Sequence, residues 1–144
     1  MRVPESLNSQ VTHAAAALAG TWVPVAAEVS GQILEVGELR VARLSFAAER
    51  YAIVDHAEQI VDAGTWELGL AANPHPIDLI GNDGPNAGRR VPAIIALDGD
   101  RLCLGYDMER EQRPSGWRHE PDQLLLCITF VRQNQRGGAP ELAR

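Results

Sequence analysis

After Gly20 the sequence is divided by turn-forming residues roughly every eight to twelve positions, and apolar and polar residues alternate between them. This spacing is typical of an all-β sandwich or barrel. The strongest turn is Asp98-Gly99-Asp100, because Asp-Gly tolerates the positive φ of a tight hairpin. The pattern predicts eight strands, at about 20–30, 40–47, 50–56, 59–69, 76–81, 89–97, 101–107 and 123–132.

The connections between these strands are too short for helical crossovers, so we expect an antiparallel sheet. Closing eight strands removes both sheet edges and leaves an interior just wide enough for side chains or one small ligand. We therefore predict an all-β fold, an eight-stranded antiparallel up-and-down β-barrel. A two-sheet sandwich is the alternative, which alternation alone does not exclude.

The N-terminal region has a different pattern from the strands. Thr12 can cap a helix, the alanines at 14–17 propagate one, and Gly20 suits its exit, which predicts a short N-terminal helical turn. The predicted organisation is a flexible lead-in at 1–11, one barrel domain at 12–132 and a disordered tail at 133–144.

Length and charge limit the function classes. A chain of 144 residues has room for one ordinary core. A net charge of −6 repels phosphate backbones, so we expect no nucleic-acid partner. No secretory signal pattern and no apolar stretch of ~20 residues is present, so we expect a cytoplasmic protein without a membrane partner.

Few residues carry recognisable chemistry. Cys103 and Cys127 are too few for a disulfide framework or a zinc site, and we expect two reduced, apolar residues, with a cross-strand pair as the alternative. No histidine lies at metal-ligand spacing from another histidine or a cysteine, the four being His13, His56, His75 and His119. Nucleophile-elbow and phosphate-loop motifs are also missing from the sequence. We assign no catalytic residue, no metal and no cofactor, and favour a non-enzymatic role.

The alternation predicts an inward face that is almost wholly apolar. It comprises Leu44, Phe46, Tyr51, Ile53, Trp66, Leu68, Ile77, Leu79, Val91, Ile95, Leu97, Leu102, Leu104, Leu126, Ile128 and Phe130. From this set we predict as lumen ligand-binding residues Phe46, Tyr51, Ile53, Trp66, Leu68, Ile95, Leu104 and Ile128. Such a face suits a small hydrophobic ligand, and it suits a filled core equally well.

An ordered set of short motifs resembles a known family over about residues 18–132. The motifs are Leu18-Ala19-Gly20-Thr21-Trp22, Leu44-Ser45-Phe46, Tyr51, Gly64-Thr65-Trp66-Glu67-Leu68, Pro76-Ile77-Asp78-Leu79, Gly84-Pro85-Asn86-Ala87-Gly88 and Leu97-Asp98-Gly99-Asp100-Arg101-Leu102. Together they resemble the small bacterial lipocalin-like domain of unknown function that is abundant in planctomycetes, within the lipocalin and calycin-like barrels.

The resemblance implies how the barrel is closed. In lipocalins an arginine near the end of the last strand lies across the tryptophan of the first, and Arg132 and Trp22 occupy the matching places. Gly20 belongs to the same Gly-x-Trp motif. A planar guanidinium stacks well on an indole face, so we expect Gly20, Trp22 and Arg132 to have a structural role.

Three functional hypotheses follow. The first is a lipocalin-like domain that binds a small hydrophobic molecule in its lumen, as a monomer or homodimer. The second is a structural or protein-interaction module with a filled core. Outward apolar residues such as Leu125 and Cys127 suggest this hypothesis. The third is a small-barrel isomerase or cyclase with Tyr51 or Arg113 as the polar group.

The longest predicted connection between strands, from Met108 to Pro121, is a charged loop. Arg110, Arg113 and Arg118 accompany Trp117, which could hold an anion or a flat aromatic ligand at a barrel mouth. Neighbouring acidic residues offset that charge, so we expect a solvated, self-neutralised loop instead.

Overall fold

The strands form one continuous antiparallel sheet. The computed structural model describes residues 14–69, 74–84, 87–109, 112–118 and 123–133, and within them a helical turn at 14–18 precedes nine strands. The strands are β1 (Gly20–Val29), β2 (Gln32–Leu34), β3 (Arg43–Ala47), β4 (Arg50–Val54), β5 (Ile60–Leu68), β6 (His75–Asp83), β7 (Arg90–Asp98), β8 (Arg101–Asp107) and β9 (Leu125–Arg132). A short 3-10 helix, Val36–Glu38, lies between β2 and β3.

Eight strands close into a ring. The order is β1-β3-β4-β5-β6-β7-β8-β9, and β1 pairs with β9 to complete the circle. All pairings are antiparallel, so the predicted eight-stranded barrel and its short N-terminal helical turn are confirmed. The sandwich alternative is wrong, because the closing β1–β9 ladder leaves neither of these strands as an open edge.

Strand β2 is an addition that the sequence pattern did not predict. The segment at 31–39, between the first two predicted strands, contains both β2 and the 3-10 helix. Ser30 and Gly31 adopt positive φ, which turns the chain back on itself. β2 then pairs with the last three residues of β1 and forms a short hairpin with it. β2 is not one of the eight strands of the closed ring.

The barrel has two distinct ends. The end that we call closed holds the start of β1, the β3–β4 turn, the β7–β8 turn and the end of β9. The opposite end, which we call open, holds β2, the β4–β5 turn, the β6–β7 loop and the end of β8. Antiparallel connectivity places these segments at alternate ends.

The core fills the barrel as the alternation predicted. Every residue of the predicted inward face belongs to the hydrophobic core or packs against it. The core also contains Leu18 of the helical turn and Trp22, both fully buried. Burying these side chains on a closed sheet is the main stabilising term, at about 25 cal/mol per Å2 of apolar surface.

The predicted domain limits fall largely outside the described residues. The lead-in at 1–11, the capping Thr12 and the tail from 134 onward all lie there. Gln133, which was assigned to the tail, still pairs with the barrel, because its N–H donates to the carbonyl oxygen of Thr21 at 2.8 Å.

Candidate functional site

A cavity of about 250 Å3 lies in the half of the lumen next to the open end. Strands β3 to β9 all contribute to its wall. Most of the lining is apolar, namely Val41, Leu44, Ile53, Leu79, Val91, Leu104, Met108, Ile128 and Phe130. Met108 and Arg89 are exposed residues of this lining, so the cavity reaches the protein surface at the open end.

Four polar side chains interrupt the apolar wall. They are Asp62 on β5, Arg89 before β7, and Tyr106 and Asp107 at the end of β8. The two aspartates are buried, with 7% of Asp62 and 5% of Asp107 exposed. Lumen carboxylates of this kind were not predicted, and they make the pocket polar on the side nearest the open end.

The hydroxyl of Tyr51 holds Asp62 in place. It donates a hydrogen bond to Asp62 Oδ2 at 3.1 Å, in a buried environment. Tyr51 and Asp62 face the lumen from neighbouring strands β4 and β5, where Tyr51 pairs with Gly64 and Ile53 with Asp62. A hydrogen bond to a charged acceptor stabilises by about 1.5–3 kcal/mol, so this contact fixes the carboxylate position.

Both tyrosines of the chain are neutral donors in the barrel. Burial raises the pKa of Tyr51 strongly, and the charge of Asp62 and the hydrogen bond to it raise it further. Burial likewise raises the pKa of Tyr106, with a second contribution from the charge of Asp62. Their phenols therefore keep the proton at neutral pH and can donate hydrogen bonds towards a carboxylate or a ligand.

Backbone contacts position Asp107. Its Oδ1 accepts a hydrogen bond from the N–H of Glu109 at 2.9 Å, which makes a local turn where β8 ends. The next residue, Met108, donates its N–H to the carbonyl oxygen of Leu124 at 2.8 Å. The turn brings Asp107 onto the cavity wall although strict alternation after Tyr106 would point it outward.

The predicted lumen residues divide into two groups. Ile53, Leu104 and Ile128 line the cavity. The others lie in the core away from its lining: Phe46, Tyr51, Trp66, Leu68 and Ile95. Phe46 and Trp66 fill the closed half with an edge-to-face contact, their ring centroids 5.4 Å apart. The cavity described by these lining residues therefore lies in the open half.

Arg132 closes the other end of the lumen. Its guanidinium carbon lies 4.3 Å from the centroid of the Trp22 ring. The same group donates to the carbonyl oxygens of Ala17 at 2.7 Å and Ala19 at 2.8 Å, which ties the helical turn to β9. Gly20 has a φ of +129°, and a Cβ there would lie 3.0 Å from the Arg132 Nη1 atom. Glycine thus leaves room for the guanidinium.

The described part of the arginine-containing loop, 112–118, contacts the outer wall of the barrel, while Arg113, Trp117 and Arg118 remain exposed to solvent. Arg113 donates to the carbonyl oxygens of Ile77 at 3.1 Å and Ala93 at 2.9 Å, and to Asp78 Oδ1 at 2.7 Å. Pro92, opposite Asp78, has no N–H for the β6–β7 ladder, so these donors reinforce a weak point of the sheet. Arg110 lies outside the described residues.

Trp117 packs against the same outer wall. A Cβ on Gly105 would lie 2.9 Å from the Trp117 ring, so the glycine makes space for it. Ile94 is nearby and buried, whereas 37% of Trp117 remains exposed. Leu125, one of the outward apolar residues that suggested a protein partner, is likewise buried, with 2% exposed. Trp117 and Arg113 are therefore wall-covering residues rather than part of the lumen.

The residue types that bind metals do not cluster in the described part of the chain. No group of three or more histidine, cysteine, aspartate or glutamate residues there has the geometry to hold a metal ion. His56 lies in a turn whose polarity is structural, since Asp55 Oδ1 accepts the N–H groups of Ala57 and Gln59. Cys103 and Cys127 are both free thiols. His13 and His119 lie outside the described residues.

Comparison with known proteins identifies no relative of this chain, so a functional proposal depends on the fold and the cavity. No protein-family model matches the sequence, and the searches against curated proteins and solved structures return no match either. Among the described residues, no helix has the length and apolar character to cross a membrane. The closed antiparallel barrel is consistent with a lipocalin-like fold, and the particular bacterial family remains a prediction.

Proposed function

We propose that this protein binds one small, predominantly apolar molecule in the open half of its barrel. The observation that carries the proposal is the cavity of about 250 Å3 with nine apolar lining residues and an opening to solvent. A dry apolar cavity of about 150 Å3 suffices to bind benzene, and drug-sized ligands occupy about 300–1,000 Å3. The cavity therefore fits a compound of one or two rings.

The two halves of the lumen explain this size limit. The closed half holds Phe46, Trp66 and Trp22, none of which lines the cavity. The ligand would enter and leave past Met108 and Arg89. A filled-core module, the competing hypothesis, predicts no saturable binding of any apolar compound.

No specific observation on the described residues favours the isomerase or cyclase hypothesis. Tyr51 bonds to Asp62 from outside the cavity lining, and Arg113 is bonded to the outer wall. Neither side chain is aimed at a substrate in the lumen, although a catalytic group needs hydrogen-bond reach of its substrate. Binding is the function that the geometry supports best.

Naphthalene binding tests the proposal, measured by ligand-observed NMR on the full chain. We expect saturable binding at one site. Leu104→Trp, which places a larger side chain in the cavity, should weaken binding at least tenfold, and so should Ile128→Phe. The control, Val25→Trp, adds a ring on the exposed face of β1 and should leave binding unchanged. Naphthalene binding that is absent, or equal in all four proteins, would refute lumen binding.

A further inference from the structure

We propose that the ligand carries an uncharged hydrogen-bond acceptor, such as the oxygen of a ketone, which accepts a hydrogen bond from the hydroxyl of Tyr106. This inference rests on the proposed function and specifies the chemical class of the ligand. It follows from the position of Tyr106 on the cavity wall and from the different hydrogen bonding of the two tyrosines in the barrel.

Tyr106 lies on the cavity wall near the end of β8. Strand alternation places it on the inward face together with Leu102 and Leu104, which are buried. The residues directly opposite it are Ala93 on β7 and Leu126 on β9, and both of these are buried as well. These side chains pack around the phenol ring, but none of them has an atom that could accept a hydrogen bond from its hydroxyl.

The two tyrosines differ in their hydrogen bonds. The hydroxyl of Tyr51 donates to Asp62 Oδ2 at 3.1 Å. Among the described residues, by contrast, no group accepts a hydrogen bond from the hydroxyl of Tyr106. Burial, and secondly the charge of Asp62, raise the pKa of Tyr106, so its phenol keeps the proton and stays a donor. The strands of these two residues, β5 and β8, are not neighbours, so the charge acts across the lumen that Tyr106 faces.

A donor on the wall makes the cavity selective between ligands. A ligand that covers the Tyr106 hydroxyl without accepting from it leaves a buried donor unsatisfied, which costs a factor of about 5 to 150 in affinity. A ligand with an oxygen at that point avoids this cost. The nine apolar side chains of the lining favour an uncharged acceptor, because an ionised group would lose its hydration among them.

The cavity also has a place for the apolar body of such a ligand. Leu104 and Ile128 pair with each other one inward position closer to the closed end than Tyr106, and both line the cavity. A ring system in contact with these two residues would direct a substituent on its outer edge towards the Tyr106 hydroxyl. We therefore expect the acceptor at the end of the ligand nearest the open end.

Two naphthalene derivatives of matched shape test the preference for an acceptor. They are 2-acetylnaphthalene and 2-isopropenylnaphthalene, in which a methylene group replaces the carbonyl oxygen. On the unmodified full chain, ligand-observed NMR titrations should show the ketone binding about fivefold or more tightly than the alkene. The ketone is the less hydrophobic of the two, so burial of apolar surface alone would give the opposite order.

One variant then identifies the donor. Tyr106→Phe removes the hydroxyl and keeps the ring, so the ratio of the ketone affinity to the alkene affinity should fall to about one or below. Taking the ratio of the two ligands cancels any general effect of the variant on the shape of the cavity. The matched control is Thr129→Val, which removes a hydroxyl from the outward face of β9 and should leave the ratio unchanged.

Infrared spectroscopy of the bound ketone gives a second readout, on the unmodified chain. A hydrogen bond weakens the C=O bond, so its stretching band should lie at a lower wavenumber in the protein than in cyclohexane. Tyr106→Phe should move the band back towards the cyclohexane position.

The outcomes separate the two proposals. If the ketone binds no more tightly than the alkene, or if its carbonyl band stays at the cyclohexane position, the acceptor inference is wrong and lumen binding stands. A ratio that is unchanged in Tyr106→Phe, or that falls equally in Thr129→Val, would also overturn the inference. If neither compound binds the unmodified chain and naphthalene does not bind either, the proposed function itself fails.

Discussion

Replacing Arg132 should destabilise the barrel by several kcal/mol, because its side chain makes the closing contacts of the closed end. The side chain joins β9, the helical turn and Trp22 through three kinds of contact. We consider Arg132→Met, which keeps the aliphatic stem over the indole and removes every donor.

The magnitude follows from those contacts. Two hydrogen bonds from a charged donor, to Ala17 and Ala19, contribute about 1.5–3 kcal/mol each, and the methionine stem retains part of the packing. Cation–π contact with Trp22 at 4.3 Å adds about 0.5–2 kcal/mol. The ion pair with Asp100 adds about 0–1 kcal/mol, because 82% of that carboxylate side chain is exposed. Since such terms are not additive, we expect a total loss of about 3–5 kcal/mol.

Urea unfolding measures this loss, followed by tryptophan fluorescence and far-ultraviolet circular dichroism. The midpoint should fall while the denaturant slope stays unchanged, as for a loss of stability without a change of fold. Asp100→Asn is the control, and it should cost no more than about 1 kcal/mol. A loss below about 1 kcal/mol in Arg132→Met, or an equal loss in both variants, would refute the assigned role of Arg132.

Three further predictions concern the tyrosines, a close strand contact and a thiol. Because the pKa values of Tyr51 and Tyr106 are raised above 10.0, phenolate absorbance should not appear near pH 10 in the native protein. The unfolded chain loses these protons first, so the unfolding free energy should fall as pH rises above 10; a native titration midpoint at 10 would contradict this. Gly64→Ala should cost about 3 kcal/mol in urea unfolding, because its Cβ would lie 1.9 Å from the Ile80 carbonyl oxygen, and Gly37→Ala, with open space, should cost less than about 0.5 kcal/mol. Burial raises the pKa of Cys127 to about 11, so its alkylation at pH 8 should be slower in the native than in the unfolded chain, and equal rates would disprove the burial effect.

The ring of the barrel could be predicted because its signals are local. Alternation and turn residues determine strands and hairpins over short distances, so the eight ring strands were placed within a few residues. The β2 hairpin was missed because Ser30 and Gly31 give a weaker turn signal than Asp98-Gly99.

The polar part of the candidate site could have been predicted only in part. Asp62 lies four residues before Trp66 on β5, and Tyr106 two residues after Leu104 on β8, so alternation places both inward. The predicted inward face was almost wholly apolar because it did not include these two polar residues. The position of Asp107 could not be predicted from alternation, because its burial depends on the turn that follows β8 and on the hydrogen bond from Met108 to Leu124.

The division of the lumen was also beyond sequence reasoning. Phe46, Trp66 and Leu104 all face inward by alternation, yet only Leu104 lines the cavity. Whether inward side chains meet across a barrel depends on strand tilt and on bulges, which shift the register at the β4–β5 and β5–β6 ladders. These are long-range properties of the closed sheet.

A crystal structure grown with 2-bromonaphthalene, with the bromine located by its anomalous scattering, tests lumen binding most directly. We expect one bromine peak inside the barrel, within van der Waals contact of Leu104 or Ile128. Bromine peaks confined to the outer surface, with the space between those two residues occupied by other side chains, would contradict the account.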